Sequence, residues 1–529
     1  MTNNYDNELE SEYSSKTDLK YRRSLGQFFT PFKIASFMVD WILENRKENL
    51  SILDPAAGLG IFERAFKFQN KDKKIEFDLW ELDKIVCGKL AGIISQLDFN
   101  ANIINSDFLT GPWDKTFDGI IANPPYYKHH FINNKDKIFE KVCIKTYFQF
   151  SIQTNIYCWF LIKAMNLLAD NGRLAFIVPS EFLNANYGEK IKDYLIKSGI
   201  VLHLININFK ENVFDNALTT SIIILSEKKP KKSLAINFFN VSDIRHLDNL
   251  NGFLKKYPRT SITTKDLDPK IKWRNYFNGY VFKEDKNFIP FSKIGRCSRG
   301  IATGSNKYFT LTLEEVRKFN IPSECLSPCI TKAGFVKDIK FTKDDFENLV
   351  KRNKRVYLFD GEKSDDPNCL SYILRGEKEG INNKYLTKNR IPWFALEKRA
   401  VSKIWVSVFG RKGLKFIWNT SDCKNLTCFH AFYPTGYGEK YLDILFIYLN
   451  TDFAKKHIDR EKREYGNGLE KFEPNDINKS LVLNFEVLSA EDLTNLKSLQ
   501  EKLLDCNIME RRDIMLHADL IFKRYHQSV

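Results

Sequence analysis

At 529 residues the chain is too long for one compact core, and two or three domains are expected. Hydrophobic residues make up 43% and charged residues 28%, an ordinary soluble balance, and no apolar run is long enough for a membrane-spanning helix. The net charge of +15 is uneven: residues 1–230 sum to zero and residues 231–529 carry the whole excess, so the C-terminal half is expected to meet a polyanion in a salt-dependent way.

In chain order, residues 1–20 read as a mobile polar lead with no signal-peptide core. Ile34, Phe37, Met38, Trp41 and Ile42 then fall on one face of a helix over 31–45. Strand-like and helix-like segments alternate from there. Strands are expected at Ser51–Asp54, Ile75–Trp80, Ile103–Ile104, Phe117–Ala122, Arg173–Val178, Val201–Asn206 and Thr219–Leu225. Helices are expected at Phe62–Phe68, Lys84–Gln96, Ile156–Leu168 and Tyr187–Ser198. Such alternation predicts an α/β fold with a mostly parallel sheet wrapped by helices. The charged segment 226–233 ends the pattern and is read as the domain boundary. Beyond it the reading is mixed, with a clear helix only at Ala490–Lys502, continuing at Met509–Tyr525.

The aromatic content of 14% includes 43 phenylalanines, most of them core, and a few exposed ones would suit stacking on bases. The ten cysteines are scattered. The closest pairs, Cys325/Cys329 and Cys423/Cys428, lack zinc-site spacing, and a reduced cytoplasm fits better than a disulfide framework.

Four segments carry chemistry. Leu53-Asp54-Pro55-Ala56-Ala57-Gly58-Leu59-Gly60-Ile61-Phe62 follows a strand and opens a helix, where small residues admit a ligand to free backbone N–H groups. It lacks the GxGxxG spacing of a dinucleotide fingerprint. Glu81 ends the next strand, where a carboxylate can accept both ribose hydroxyls of a nucleoside cofactor. Asp107 ends the third, placed to accept from an adenine amino group while Phe108 covers the ring. Each is weak alone, but three acids at three successive strand ends share one edge of the sheet. Last, a strand runs into Asn123-Pro124-Pro125-Tyr126. Two prolines remove two N–H donors and leave an acceptor-rich corner of Asn123 oxygen and Pro124 carbonyl. Such a corner can hold an amino group, and Tyr126 offers a flat face to the attached ring.

In this order the segments resemble the motifs of S-adenosylmethionine-dependent amino-methyltransferases. The chain is similar to the gamma class of DNA adenine methyltransferases, the TaqI-like group found among type II restriction-modification methylases. Upstream, Gly26-Gln27-Phe28-Phe29-Thr30-Pro31 resembles that family's N-terminal cofactor motif. The resemblance implies a Rossmann-like domain over 21–230 with a seven-stranded, mostly parallel sheet. It also implies a mixed α/β target recognition domain over 231–529. It assigns Thr30, Asp54, Ala56, Gly58, Glu81, Asp107, Phe108 and Phe160 to S-adenosyl-L-methionine. Asn123, Pro124 and Tyr126 are assigned to the target base, with Phe214 on the base's other face. Arg299-Gly300-Ile301-Ala302-Thr303-Gly304 and Arg463-Glu464-Tyr465-Gly466-Asn467-Gly468 look like landmarks of the recognition domain, with Arg299, Thr303, Arg463 and Tyr465 toward DNA. His129 and His130 depart from the family's pattern and read as DNA-facing or structural.

The expected reaction is methylation of adenine N6 in a short sequence of double-stranded DNA, after the base is flipped out. The expected protein is a cytoplasmic monomer with no metal and no membrane partner, beside a possible separate restriction endonuclease. The same corner also suits a methyltransferase of RNA bases or of a protein glutamine, or a solitary DNA methylase. A specificity protein with an inert methylase half disagrees with the intact Asn123, Tyr126, Glu81 and Asp107. No PD…ExK cluster points to a fused nuclease.

Overall fold

The computed structural model describes residues 7–44, 49–69, 74–126, 135–185, 187–208, 220–279, 285–363, 365–410, 414–459, 463–465 and 469–526. The chain forms two compact units, Met1–Phe282 and Lys283–Val529.

The first unit is built on one sheet of nine strands: β1 (Asn49–Asp54), β2 (Lys74–Trp80), β3 (Asn100–Ile104), β4 (Phe117–Ala122), β5 (Leu168–Pro179), β6 (Val201–Ile207), β7 (Ser221–Glu227), β8 (Ala235–Val241) and β9 (Thr260–Thr263). Their order across the sheet is β3-β2-β1-β4-β5-β7-β6-β8-β9. From β3 through β5 all pairs are parallel, and β7 runs antiparallel between β5 and β6. Strand order reverses at β1/β4, so a crevice opens beyond the carboxyl ends of the strands there, as in other open α/β sheets. The helices are α1 (Glu8–Lys16), α2 (Leu19–Ser24), α3 (Phe32–Leu43), α4 (Ile61–Gln69), α5 (Lys84–Leu97), α6 (Lys135–Thr146), α7 (Ile156–Asn166) and α8 (Gly188–Ser198), with two short ones after β8. The central strands are near-continuous apolar runs because both faces are covered: Ile120 and Leu174 belong to one core cluster, Ile121 and Ala175 to the other.

Two expectations are corrected. The boundary is not at 226–233. β8 adds to β6 in parallel and β9 closes the edge, burying Ile236, Phe238, Phe239 and Val241 almost completely. The charge split softens accordingly: residues 1–282 carry 38 basic and 32 acidic side chains, and residues 283–529 carry 43 and 34. The lead is folded from residue 7 onward. α1 buries Glu10 and Tyr13, Glu10 pairs with Arg64 of α4, and Asn7 bonds Thr30 and Phe32. Only two buried side chains anchor α1, too few to stand out from its polar composition.

The second unit is mixed α/β. A five-stranded sheet orders Gly295–Arg299, Phe429–Pro434, Ile404–Ser407, Phe416–Asn419 and Lys340–Phe341. Its partner helices include Leu442–Asn450, Ala490–Asp505 and Ile508–Lys523, which share one core. The two expected C-terminal helices are present. Cys325 and Cys369 form a disulfide in this unit, one pair rather than a framework, and the other eight cysteines are free. Among the described residues no helix is long and apolar enough to cross a membrane.

Candidate active site

A cavity lies beyond the carboxyl ends of β1 to β4. It is walled by the Gly26–Thr30 segment, the Pro55–Phe62 turn, Glu81 to Asp83, Ser106 to Phe108, Asn123, Pro125 and Phe160. Glycine is required at the turn, since Gly58 and Gly60 adopt φ of +56° and +71°. A Cβ at Gly58 would meet nothing within 4 Å, so this stretch of backbone faces open cavity.

The acids at the three strand ends meet here with distinct tasks. Asp54 is fully buried, and its Oδ1 accepts from Ala56 N at 2.9 Å. Glu81 accepts from Gly58 N at 3.0 Å and from Asp83 N at 2.7 Å, which ties the first turn to the second strand. Burial raises its pKa against the pull of those two N–H groups. Asp107 caps the short turn Phe108–Thr110 by accepting from Leu109 N at 2.9 Å, and burial raises it too. Phe108 and Phe160 form an aromatic wall with centroids 5.3 Å apart.

The Asn123 corner is tied to the N-terminal segment. Asn123 Nδ2 donates to the Phe28 carbonyl at 2.7 Å and to Thr30 Oγ1 at 2.9 Å. Both amide hydrogens are thereby used, which fixes the orientation of the amide. Its Oδ1 is buried and has no hydrogen-bond partner among the described residues. Tyr126 N donates to the Gly26 carbonyl at 3.2 Å, and the Phe28 ring stacks on Tyr126 at 5.3 Å. Tyr126 Oη donates to Ile177 O at 3.2 Å, and burial raises the phenol well above its ordinary range.

Thr30, Asp54, Ala56, Gly58, Glu81, Asp107, Phe108, Phe160, Asn123, Pro124 and Tyr126 therefore gather around one cavity or in the turns that form it. Phe214, His129 and His130 lie outside the described residues, as do the side chains of Arg463 and Tyr465, whose backbone forms the strand Arg463–Tyr465. In the second unit Arg299 is exposed at a strand end, whereas Thr303 is buried, its hydroxyl donating to Asn306 at 2.6 Å. The Gly300 position abuts the Leu426 carbonyl, so close packing explains that glycine.

Sequence reasoning missed four residues at the site. Phe28 sits inside the quoted motif, yet its contact with Tyr126 spans distant parts of the chain. Asp83 caps α5 and also accepts from Tyr21 and Gln27. Glu63 is fully buried beside Asp54 with neither carboxylate oxygen partnered among the described residues, and its pKa is raised to about 7, chiefly by burial. Lys163 is fully buried in α7. A lysine in an otherwise apolar helix was the available signal.

Residues 15–293 match the N-6 DNA Methylase family, and residues 280–515 match the C-terminal domain of the type II methyltransferase M.Eco57I. The type II methyltransferase M.AccI of Acinetobacter calcoaceticus is 42% identical, over 93% of this chain and 92% of its own. M.HindII of Haemophilus influenzae is 30% identical over 69% of this chain and 70% of its own. Among solved structures, the type IIL restriction-modification enzyme MmeI in complex with DNA shares the fold, with a TM-score of 0.62 at 12% identity, covering 98% of this chain and 78% of that one.

Proposed function

We propose, from the premise that this chain belongs to the N-6 DNA Methylase family and is a type II adenine-specific DNA methyltransferase, that its first-unit cavity holds S-adenosyl-L-methionine beside a flipped adenine. The motif order supports the gamma class. The residues fit the cofactor: an open glycine turn, a partly buried carboxylate for the ribose, Asp107, fixed by capping its turn, for the purine amine and an aromatic wall for its ring. Glu81 keeps lone pairs beyond those used by Gly58 and Asp83, enough to accept ribose hydroxyls.

One observation carries the reading: the Asn123 amide spends both hydrogens on Phe28 and Thr30, and among the described residues nothing donates to its buried oxygen. A buried acceptor without a partner costs about 1–3 kcal/mol unless a ligand supplies the donor. An exocyclic amine is such a donor. Bound in the cavity, S-adenosyl-L-methionine supplies an electrophilic methyl group. Asn123 Oδ1 and the Pro124 carbonyl accept the two N–H groups of the adenine amine and turn its lone pair out of conjugation with the ring. The same acceptors stabilise the positive charge that develops on nitrogen. Positioning supplies much of the remaining rate.

The second unit acts as the target recognition domain on a short sequence in duplex DNA, supported by its positive charge and its match to a type II methyltransferase C-terminal domain. Arg299 is its exposed candidate for phosphate or base edges, and Arg463 and Tyr465 keep their expected DNA-facing roles. The enzyme acts in the cytoplasm as a monomer, beside a separate endonuclease for the same site. Long-read sequencing of DNA from cells expressing the protein tests the reading. N6-methyladenine is expected in one short motif with the wild type and is absent with Asn123→Ala. Unmodified adenine with the wild type, or full modification with Asn123→Ala, overturns it.

A further inference from the structure

Lys163 lies in α7, where every residue from Ile156 to Met165 is buried. Its own side chain is fully buried. Among the described residues no carboxylate bonds it. Its Nζ donates to the Phe108 carbonyl at 2.6 Å and to the Gly111 carbonyl at 3.0 Å. The ammonium sits 4.4 Å over the Phe108 ring and 5.0 Å over the Trp113 ring. A second lysine grips the same turn from outside: Lys141 of α6 donates to the Thr110 carbonyl at 3.0 Å and to the Gly111 carbonyl at 3.4 Å.

The turn is held from its other sides as well. Thr110 Oγ1 donates to Asp107 O at 2.8 Å, and a Cβ on Gly111 would stand 2.6 Å from the Trp80 ring. A buried amine without a carboxylate partner is costly, and burial lowers its pKa to about 7, helped by Lys141 and opposed by Asp107. A leucine at 163 would suit this helix without that cost. What the lysine adds is a rigid seat for the turn that presents Asp107 and Phe108 to the cavity.

We infer that Lys163, supported by Lys141, is a positioning residue that sets the purine selectivity of the cofactor pocket, by holding the 107–111 turn so that Asp107 meets a 6-amino group and Phe108 covers the ring. The inference rests on the cofactor reading above. Through the cation over Phe108 and the two carbonyl bonds, the lysine acts on the purine without touching it.

The test compares S-adenosylhomocysteine with its 6-oxo analogue, S-inosylhomocysteine, by calorimetry on the full chain. Wild type is expected to prefer the 6-amino compound. Lys163→Met should weaken that compound by about tenfold or more while barely changing the 6-oxo analogue, so the preference collapses. KM for the methyl donor should rise by a similar factor, with kcat at saturation moving less. Lys163→Arg should restore part of the preference. A lysine that serves only folding would instead lower the melting temperature and leave the ratio of the two affinities at its wild-type value, and that result overturns the inference. If Lys163→Met does not fold, Lys141→Met decides: a reduced preference supports the inference and an unchanged one overturns it. A wild type that binds neither compound removes the cofactor reading itself.

Discussion

The side-chain amide of Asn123 donates to the hydroxyl of Thr30, 93 residues earlier in the chain, at 2.9 Å. This bond joins the Gly26–Thr30 segment to the Asn123–Tyr126 corner, so under the proposed function a substitution in the segment should be felt at the target amine. Thr30→Val removes the hydroxyl at nearly constant volume. One hydrogen bond of about 1 kcal/mol is lost, and single-turnover methylation should slow by about five- to tenfold. Asn123→Ala should cost about a hundred- to thousandfold, by analogy with a deleted oxyanion donor. DNA affinity in gel shifts should hold in both variants. Thr30→Val at the wild-type rate would show that Phe28 alone orients the amide.

Tyr126 should tolerate loss of its hydroxyl better than loss of its ring. Tyr126→Phe forfeits the 3.2 Å bond to Ile177 O but keeps the stack on Phe28. A stability loss of about 1 kcal/mol is expected, with most activity kept. Tyr126→Ala should lose the Phe28 contact and, under the proposed function, the base contact as well. Thermal melts and single-turnover rates on the two variants check this, and equal rates would place the role of Tyr126 elsewhere.

The acid pair behind the glycine turn predicts a pH dependence of stability. Glu63 is raised to about 7 in the folded protein against 4.5 ordinarily, and burial raises Asp54 well above its usual value, Glu63 adding to it. Below the ordinary value both states hold the proton and nothing is lost. Between the ordinary and the folded values the unfolded chain releases protons that the folded state still holds, which favours unfolding, and the loss is complete once pH has passed the folded value. Stability should therefore fall between about pH 5 and pH 8, by at most about 1.4 kcal/mol per pH unit for each group. Glu63→Gln should flatten that decline. Melts of wild type and variant across this range check the sign, and parallel curves would exonerate Glu63.

Chimeras should respect the observed boundary. A swap at 283 leaves the nine-stranded sheet whole, whereas a swap at 231 strips β8 and β9 from β6. The relative's strands must then repack on β6, and the four buried side chains of β8, worth about 1.5–3 kcal/mol each, leave with the exchanged segment. The first chimera with a relative of different specificity should be soluble and methylate the relative's site. The second should aggregate. A soluble, active chimera joined at 231 would count against β8 and β9 as structural members of the first unit.

Most of the catalytic half was legible in the sequence. Buried parallel strands leave unbroken apolar runs, and each strand end leaves its acid or asparagine in a fixed order, so β1 to β7 and the cavity residues stood out. Four kinds of feature did not. α1 is anchored by a buried ion pair between Glu10 and Arg64, which composition reads as solvated charge. β8 follows a charged turn that looks like a linker. Leu442–Asn450 is buried almost all round, so it shows no helical period. The Lys163 and Phe28 contacts depend on tertiary neighbours, and no local spacing encodes them.

The Asn123–Pro124 peptide also decides how the site ages. Asparagine deamidates when the following backbone nitrogen attacks its side-chain carbonyl and closes a cyclic imide. That attack is fastest before glycine, and the chain carries Asn-Gly steps at 171, 251, 278 and 467. Proline has no N–H at that nitrogen, so the route is closed at Asn123. Over prolonged storage, acidic isoforms should accumulate from the Asn-Gly steps while the amide that grips Phe28 and Thr30 stays chemically intact.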